Sequence, residues 1–213
     1  MSSLIFHTDE VQAFVATDTL ATSNNGEPFM FTTKSFIVPH LQMIMCGTGV
    51  GGFLGRWFIE VNDRMIVRDV DHLNNHTPDN LAAFWRGYKQ EITVPDNLTT
   101  TVYHFGFAEE DGLIHSYAYR SKNNFKPEAL QYCVAAKPEC RMSEGYEFPA
   151  DIKKMMDEQR AIQATRPKNE RIYIGGKILI HHLTKLGYSV YTLDEFEDFE
   201  ADQSAIYDNF RPR

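Results

Sequence analysis

The first thirty-four residues constrain the fold of this chain more than any other stretch. Their apolar runs alternate with short polar segments, which predicts a strand at the amino end, a tight turn, a second strand that ends on Asp18, a polar loop, and a third strand that carries Lys34. Ser2 lies at the start of the first strand. The pattern therefore places a hydroxyl, a carboxylate and an amine on neighbouring strands, and these three groups together can support a reaction.

The position of Ser2 suggests which reaction that is. If Met1 is removed, Ser2 carries both a hydroxyl nucleophile and a free α-amine, whose pKa of roughly 8 suits it to act as a built-in base near neutral pH. Serine is small enough for amino-terminal methionine trimming. A nearby lysine ammonium lowers the pKa of such an amine and hydroxyl, and a buried aspartate holds the lysine charged and in place. Ser2, Lys34 and Asp18 are therefore the candidate catalytic residues.

Residues 14–22 read FVATDTLAT, and Lys34 follows after a loop. This resembles the proteasome-like branch of the N-terminal nucleophile hydrolases, whose second strand reads apolar-apolar-Ala-x-Asp-[Ser/Thr]-x-Ala-Thr and whose next strand begins with a lysine. Counted from Ser2, both Asp18 and Lys34 fall at the family's positions without a gap. The resemblance covers roughly the first quarter of the chain. Ser2 stands where the family usually has threonine, and Leu20 stands where it has arginine.

The resemblance implies an α+β fold, a four-layer αββα sandwich, and hydrolysis of an amide or peptide bond in a peptide or small amide substrate. Ser2 would be the nucleophile, and Asp18 and Lys34 would support it. The backbone N–H of Gly47 would bind the oxyanion, with Gly49 as the other candidate. The resemblance implies no cofactor. It does imply assembly into a homo-oligomeric ring. An inactive member of the same fold, acting as an assembly or interaction module, is the alternative, and a retained Met1 would favour it.

Residues 47–52, which we call the glycine loop, read GTGVGG and raise a different possibility. They match G-x-G-x-x-G, follow a predicted strand and open a predicted helix, and Asp69 or Asp71 lies near the distance expected of a ribose-binding acid. A dinucleotide-binding protein is therefore a competing interpretation. The strands before the loop look antiparallel, however, and no regular βαβ alternation follows. Close packing of a helix on a sheet explains the glycines equally well.

Composition excludes several classes of partner. The net charge of −8 argues against nucleic acid, and no apolar run approaches the roughly 20 residues that cross a bilayer. Three cysteines without metal-ligand spacing indicate reduced thiols in a cytoplasmic protein, and the histidines also lack such spacing. The length predicts a single domain at 1–193 followed by an acidic tail at 194–213.

Local patterns predict the remaining elements. Strands followed by helices, strands, a helix and strands fit two antiparallel sheets between two helical layers, in agreement with the resemblance. The 77–90 helix is placed by its Thr-Pro-Asp start signal, and the acidic stretch 194–202 is expected to be solvated and partly disordered. The predicted helices are 53–61, 77–90 and 150–165, and the predicted strands of the later chain are 99–107, 113–120, 130–136, 172–180 and 188–193.

Overall fold

The computed structural model describes residues 2–23, 25–93, 95, 97–141 and 146–209. In these ranges the chain is a mixed α/β protein with antiparallel sheets. The helices are α1 (Phe53–Arg64), α2 (Val70–Ile92), α3 (Ile152–Ala164) and α4 (Phe199–Asn209). The strands are β1 (Leu4–Thr8), β2 (Gln12–Asp18), β3 (Leu20–Thr22), β4 (Pro28–Phe31), β5 (Ser35–Val38), β6 (Met43–Thr48), β7 (Thr101–Phe107), β8 (Ile114–Arg120), β9 (Pro127–Ala129), β10 (Val134–Lys137), β11 (Lys177–Thr184) and β12 (Gly187–Glu195).

Two five-stranded sheets contain most of these strands. The first has the order β10-β1-β2-β11-β12 and the second the order β5-β6-β7-β8-β9, while β3 and β4 form a separate two-stranded ribbon. A turn at Asp9 joins β1 to β2, because its Oδ1 accepts the N–H groups of Val11 and Gln12 at 2.9 and 3.0 Å. The resulting register pairs Leu4 with Thr17. The amino end of the chain is thereby held beside the end of β2.

Three groups of buried apolar side chains hold the elements together. One contains residues of both five-stranded sheets, such as Phe6 and Phe105. A second joins α1 and α2 to the second sheet around Trp57. The third joins α3 to the first sheet around Met156 and Ile5. Among the residues that the structure describes, no helix has the length and apolar composition to cross a membrane.

Most elements predicted from local patterns are confirmed. The helix predicted at 53–61 is α1, and the one predicted at 150–165 is α3. The strands predicted at 99–107 and 113–120 are β7 and β8, which pair antiparallel. The strand predicted at 130–136 is shifted, since β10 begins only at Val134, and the strand predicted at 188–193 is β12.

The predicted start of α2 is wrong. The Thr77-Pro78 signal lies inside the helix, which begins seven residues earlier at Val70. Its true N-cap is Asp69, whose side chain accepts the N–H of His72 at 2.7 Å. Pro78 only removes one N–H from the helical ladder, and packing of the helix against the second sheet outweighs that loss.

The carboxyl end also corrects the prediction. Asp194, Glu195, Glu197 and Glu200 are exposed, as expected, but the prediction of partial disorder at 194–202 is wrong, because β12 extends to Glu195 and α4 follows it. Phe196 and Ile206 are buried, and Phe199 stacks on Phe31 with the ring centroids 5.0 Å apart. The sequence of this stretch is dominated by acidic residues, so its charge alone does not indicate these apolar contacts. The strand predicted at 172–180 begins only at Lys177, and the residues before it serve the site described below.

Buried His104 gives the fold a pH dependence. Burial lowers the pKa of His104 from 6.5 to about 3, and its Nε2 accepts the Trp57 Nε1–H at 3.2 Å. Below pH 6.5 the His104 imidazole is protonated in the unfolded chain but stays neutral in the folded chain, so the free energy of unfolding falls as the pH drops. We expect this one residue to cost about 2 kcal/mol of unfolding free energy between pH 7 and pH 5.

Urea unfolding of the wild type and of His104→Gln at both pH values measures this effect. The variant should lose about 2 kcal/mol less than the wild type over that range, because glutamine does not titrate. The same replacement at exposed His40 controls for removal of an imidazole. Equal losses in the wild type and in His104→Gln would contradict the assignment.

Candidate active site

A cleft of about 170 Å³ lies where the amino end, the ribbon and the glycine loop meet. Three of the predicted site residues, Ser2, Lys34 and Gly47, line it. The fourth, Asp18, lies behind the cleft and is fully buried. We call this the active-site cleft. Its other lining residues are Leu20, Ala21, Thr22, Thr32, Thr33, Phe36, Thr48, Gly49, Val50, Gly51, Gly52, Leu54, Gly55 and Thr100.

Lys34 and Asp18 form a buried ion pair at the base of the cleft. Lys34 Nζ donates to Asp18 Oδ1 at 2.8 Å and to the Leu20 carbonyl at 2.6 Å. Lys34 is 8% exposed and Asp18 not at all, so neither charge could be kept there without the other. An ammonium has three donors. Among the described residues two of them are used, which leaves one for a group in the cleft that Ser2 also lines.

Two backbone N–H groups complete the environment of Asp18. Ser3 N–H donates to Oδ1 at 2.8 Å, and Gly175 N–H donates to Oδ2 at 3.2 Å. The carboxylate therefore accepts three hydrogen bonds from three separate segments of the chain. Such bonds fix the orientation of the carboxylate. Asp18 thus positions both the lysine and the backbone next to Ser2.

The glycine pair 175–176 was missed as part of the site. The Gly175 carbonyl accepts the N–H groups of Thr19 and Leu20 at 3.2 and 3.0 Å, while its own N–H binds Asp18. Gly176 has φ +79°, and a Cβ there would come within 2.3 Å of Thr19 Oγ1. Only glycine fits so close to the end of β2. Two adjacent glycines before an apolar run were the available signal.

The electrostatics of Lys34 are set by two opposing effects. Burial lowers the pKa of Lys34, and the charge and hydrogen bond of Asp18 act against that lowering. A lysine with a lowered pKa gives up its proton more readily than one on the surface, and this is a common property of lysines in active sites. The arrangement supports both charge stabilisation and proton exchange at the cleft.

Lys34 lies just before β5 and not on the predicted third strand, which is divided into β4 and β5. A second hydrogen-bonded network begins at the next residue, Ser35. Ser35 Oγ shares hydrogen bonds with His181 Nδ1 at 2.8 Å and with Thr17 Oγ1 at 3.3 Å. Burial lowers the pKa of His181 to about 4, so the imidazole is neutral at pH 7. These three residues belong to β5, β11 and β2 and link the two five-stranded sheets at the level of the site. No spacing of residues along the sequence indicates this network.

The amide groups near the cleft are the candidate oxyanion donors. The Gly47 N–H donates to the Lys34 carbonyl at 3.3 Å, a long bond that shares the amide with the main chain. Gly49, the other candidate, has φ +116°. The glycine loop also leads into the amino end of α1, whose dipole favours negative charge. The shape of the glycine loop therefore affects the candidate active site.

Replacing Gly49 with alanine is expected to deform the glycine loop. A Cβ at Gly49 would lie 2.1 Å from the Thr99 carbonyl oxygen, and the residue's φ disfavours any side chain. We expect a loss of about 2–3 kcal/mol of unfolding free energy. Gly51→Ala is the matched control, because a Cβ there meets nothing within 4 Å, and it should change stability by less than about 0.5 kcal/mol. Urea unfolding measures both; similar losses would contradict this description of the loop.

The acids required by the nucleotide interpretation are engaged elsewhere. Asp69 caps α2, and its Oδ2 also accepts the Glu109 N–H at 2.8 Å. Asp71 binds His115 and Tyr117. The strand before the glycine loop, β6, pairs antiparallel with both of its neighbours, whereas a dinucleotide fold needs parallel strands. The geometry does not favour a dinucleotide site.

Two further expectations concern residues around the site. The expected removal of Met1 concerns a residue that lies outside the described part of the chain. Within the described ranges, His, Cys, Asp and Glu side chains do not gather into a group that could hold a metal ion.

Comparison with known proteins gives a fold. No protein-family model matches the sequence, and no curated protein matches it. Among solved structures, the chain is similar to Anbu (ancestral beta-subunit) from Yersinia bercovieri, with a TM-score of 0.60 and 8% sequence identity over 97% of this chain and 92% of that chain. At that identity the likeness shows the fold alone. The chain has a proteasome-like fold, in agreement with its antiparallel sheets and helices.

Proposed function

We propose that this chain is an N-terminal nucleophile hydrolase that cleaves amide or peptide bonds with Ser2 after removal of Met1. The observation that carries the proposal is the buried Lys34–Asp18 pair, which opens into the same cleft that Ser2 lines. A buried ion pair at a cleft is a costly arrangement for stability alone, since an apolar pair of similar volume often serves as well. The pair is better explained by chemistry at Ser2.

Each residue then has a defined role. The Ser2 hydroxyl attacks the substrate carbonyl while its own α-amine takes the proton, and the amine returns that proton to the leaving nitrogen as an acyl-enzyme forms. Water then releases the acyl group. Lys34 stabilises negative charge near the hydroxyl, Asp18 orients Lys34, and the N–H of Gly47 or Gly49 binds the oxyanion. No cofactor takes part in this mechanism.

We also propose that the chain folds as a four-layer αββα sandwich and assembles into a homo-oligomer. Three apolar groups, one with residues of both sheets and two that join helices to a sheet, support a four-layer αββα sandwich. A homo-oligomer is supported by β12, an edge strand with exposed Tyr188 and Val190 next to exposed Leu186. Sedimentation analysis that returned only the monomer mass would contradict the oligomer.

A second candidate is an inactive interaction module with the same fold. Two observations favour it: Leu20 replaces the family's arginine beside the site, and the Gly47 N–H already has a main-chain partner. Such a module keeps the layout while losing the chemistry. The state of the amino terminus separates the two candidates, because only a free Ser2 amine can serve as the base.

The intact mass of untagged protein from its native host tests the proposal. We expect a mass that lacks Met1, followed by cleavage in a screen of peptide and small amide substrates. A mass that retains Met1 would contradict the self-based mechanism and favour the module. A free Ser2 without hydrolysis of any amide in the screen would count against the enzyme as well.

A further inference from the structure

Three basic side chains converge on a second cavity next to the active-site cleft. This cavity, which we call the basic cavity, has a volume of about 260 Å³ and is lined by Arg120, Lys122 and Lys137. The remaining lining residues are Thr48, Gly49, Thr99, Thr100 and Thr101. Thr48, Gly49 and Thr100 also line the active-site cleft, so the two spaces adjoin at the glycine loop.

The strand pairing explains why these charges meet beside the candidate nucleophile. Lys137 ends β10 and pairs with Leu4, two residues after Ser2. Arg120 ends β8 and pairs with Thr101, and Lys122 lies in the short turn that follows. The carboxyl ends of β10 and β8 thus lie beside the starts of β1 and β7, and Lys137 Nζ bridges the two sheets by donating to Thr101 Oγ1 at 3.2 Å.

The basic cavity is positively charged, whereas the chain as a whole has a net negative charge. The protein has 29 acidic and 21 basic residues, yet among the residues that the structure describes no carboxylate lines this cavity. Glu128 accepts from Arg120 Nε at 2.9 Å, and Lys137 Nζ donates to Thr101 Oγ1 at 3.2 Å. Within the described part of the chain, one acid therefore accompanies three cations, and the like charges repel one another.

The repulsion between these cations affects the pKa of Lys137. Burial lowers the pKa of Lys137, and the charges of Arg120 and Lys122 lower it further. A negatively charged ligand would relieve this repulsion and raise the pKa of Lys137 again. Without such a ligand, Glu128 is the carboxylate that the described residues place against these three cations.

We propose that the basic cavity is a subsite for a carboxylate of the substrate, located beside the scissile bond. That the bound molecule is a substrate rests on the hydrolase function proposed above, whereas carboxylate binding rests on the cavity itself. A guanidinium fork and two ammonium groups match the charge and the paired oxygens of a carboxylate. An acidic side chain and the carboxyl terminus of a peptide both present this group. The preferred substrates are therefore acidic.

Three acetylated hexapeptides that differ only in charge test the proposal. The first has a glutamine and a carboxamide end, the second replaces the glutamine with glutamate, and the third keeps the glutamine but ends in a free carboxylate. Binding is measured by calorimetry on the full-length Ser2→Ala protein, which prevents turnover. We expect at least one charged peptide to bind about tenfold more tightly than the neutral one. Which of the two does so identifies the source of the carboxylate.

Charge-removing variants then locate the binding. Lys122→Gln should reduce the preference for the charged peptide by about threefold, and the Lys122→Gln/Lys137→Gln double variant should remove most of it. Lys126→Gln is the matched control, because Lys126 is exposed on the same turn region and does not line the cavity. The affinity for the neutral peptide should be unchanged in every variant.

The outcomes separate this proposal from the proposed function. Charged peptides that bind no better than the neutral one at millimolar concentration would overturn the subsite, even if the wild type hydrolyses amides. A Lys126→Gln variant that loses as much preference as Lys122→Gln would also overturn it. A preference that depends on Lys122 and Lys137, together with a wild type that hydrolyses none of the three peptides, would leave the subsite standing and count against the hydrolase.

Discussion

Ser2→Ala is expected to lower kcat/KM for amide hydrolysis by at least about 10³-fold, because it removes the atom that forms the acyl-enzyme. The change deletes a single oxygen from a side chain that lines the active-site cleft, so the fold should be retained. Activity is measured on the mature protein with whichever substrate the amide screen identifies, and the far-ultraviolet circular dichroism spectrum checks the fold. Residual activity near the wild-type level would show that Ser2 is not the nucleophile.

Two matched variants separate the hydroxyl from the amine. Ser2→Thr keeps both groups and is expected to retain measurable activity. An extra residue that cannot be removed, placed before Ser2, keeps the hydroxyl but converts the amine to an amide and should be as inactive as Ser2→Ala. If the extended protein is fully active, the base is a different group, and Lys34 is the next candidate.

Asp18→Asn should lower the free energy of unfolding by about 3–5 kcal/mol, because the Lys34 ammonium would then be buried without its counter-charge. The new amide would also meet the N–H groups of Ser3 and Gly175 as a weaker acceptor. Urea unfolding at pH 7 measures the loss. Asp157→Asn is the control, because Asp157 pairs with Lys153 at the same 2.8 Å on the surface and should contribute less than about 1 kcal/mol.

A double variant distinguishes stability from catalysis at the same pair. Asp18→Asn/Lys34→Met removes both charges and fills the lysine site with an apolar chain, so much of the lost stability should return. Hydrolysis should not return, since the group that stabilises charge at Ser2 is gone. A double variant as unstable as Asp18→Asn would mean that the pair is not what makes the single variant unstable. A stable and active double variant would remove Lys34 from the mechanism.

The sequence predicted the part of the site that lies within one continuous stretch. Alternating apolar residues identify β1 and β2, and the spacing of Asp18 and Lys34 from Ser2 follows the family pattern. The structure brings Lys34 and Asp18 to 2.8 Å and places Ser2 in the same cleft. Local patterning was enough here because Ser2 lies just before β1, Asp18 ends β2 and Lys34 lies just before β5, all within one short stretch of chain.

The remainder depended on contacts between distant segments. Gly175, Gln159 and His181 reach the site through the pairing of β11 with β2 and the packing of α3, and no short motif reports such pairing. The start of α2 was misplaced because Pro78 imitates a helix start, although tertiary packing extends the helix past it. The helix α4 was missed because its apolar contacts are few among many acids.

The hydrogen bonds of the amino end have a consequence for when the chain becomes competent. Asp18 binds the N–H of Gly175, 157 positions further along, and Ser3 Oγ donates to Gln159, 156 positions away. During synthesis the amino end emerges first, and these partners are translated 156 and 157 residues later. A nascent chain therefore cannot complete the hydrogen bonds around Ser3 and Asp18 until the residues up to Gly175 have been synthesised, so this end of the cleft forms late in folding.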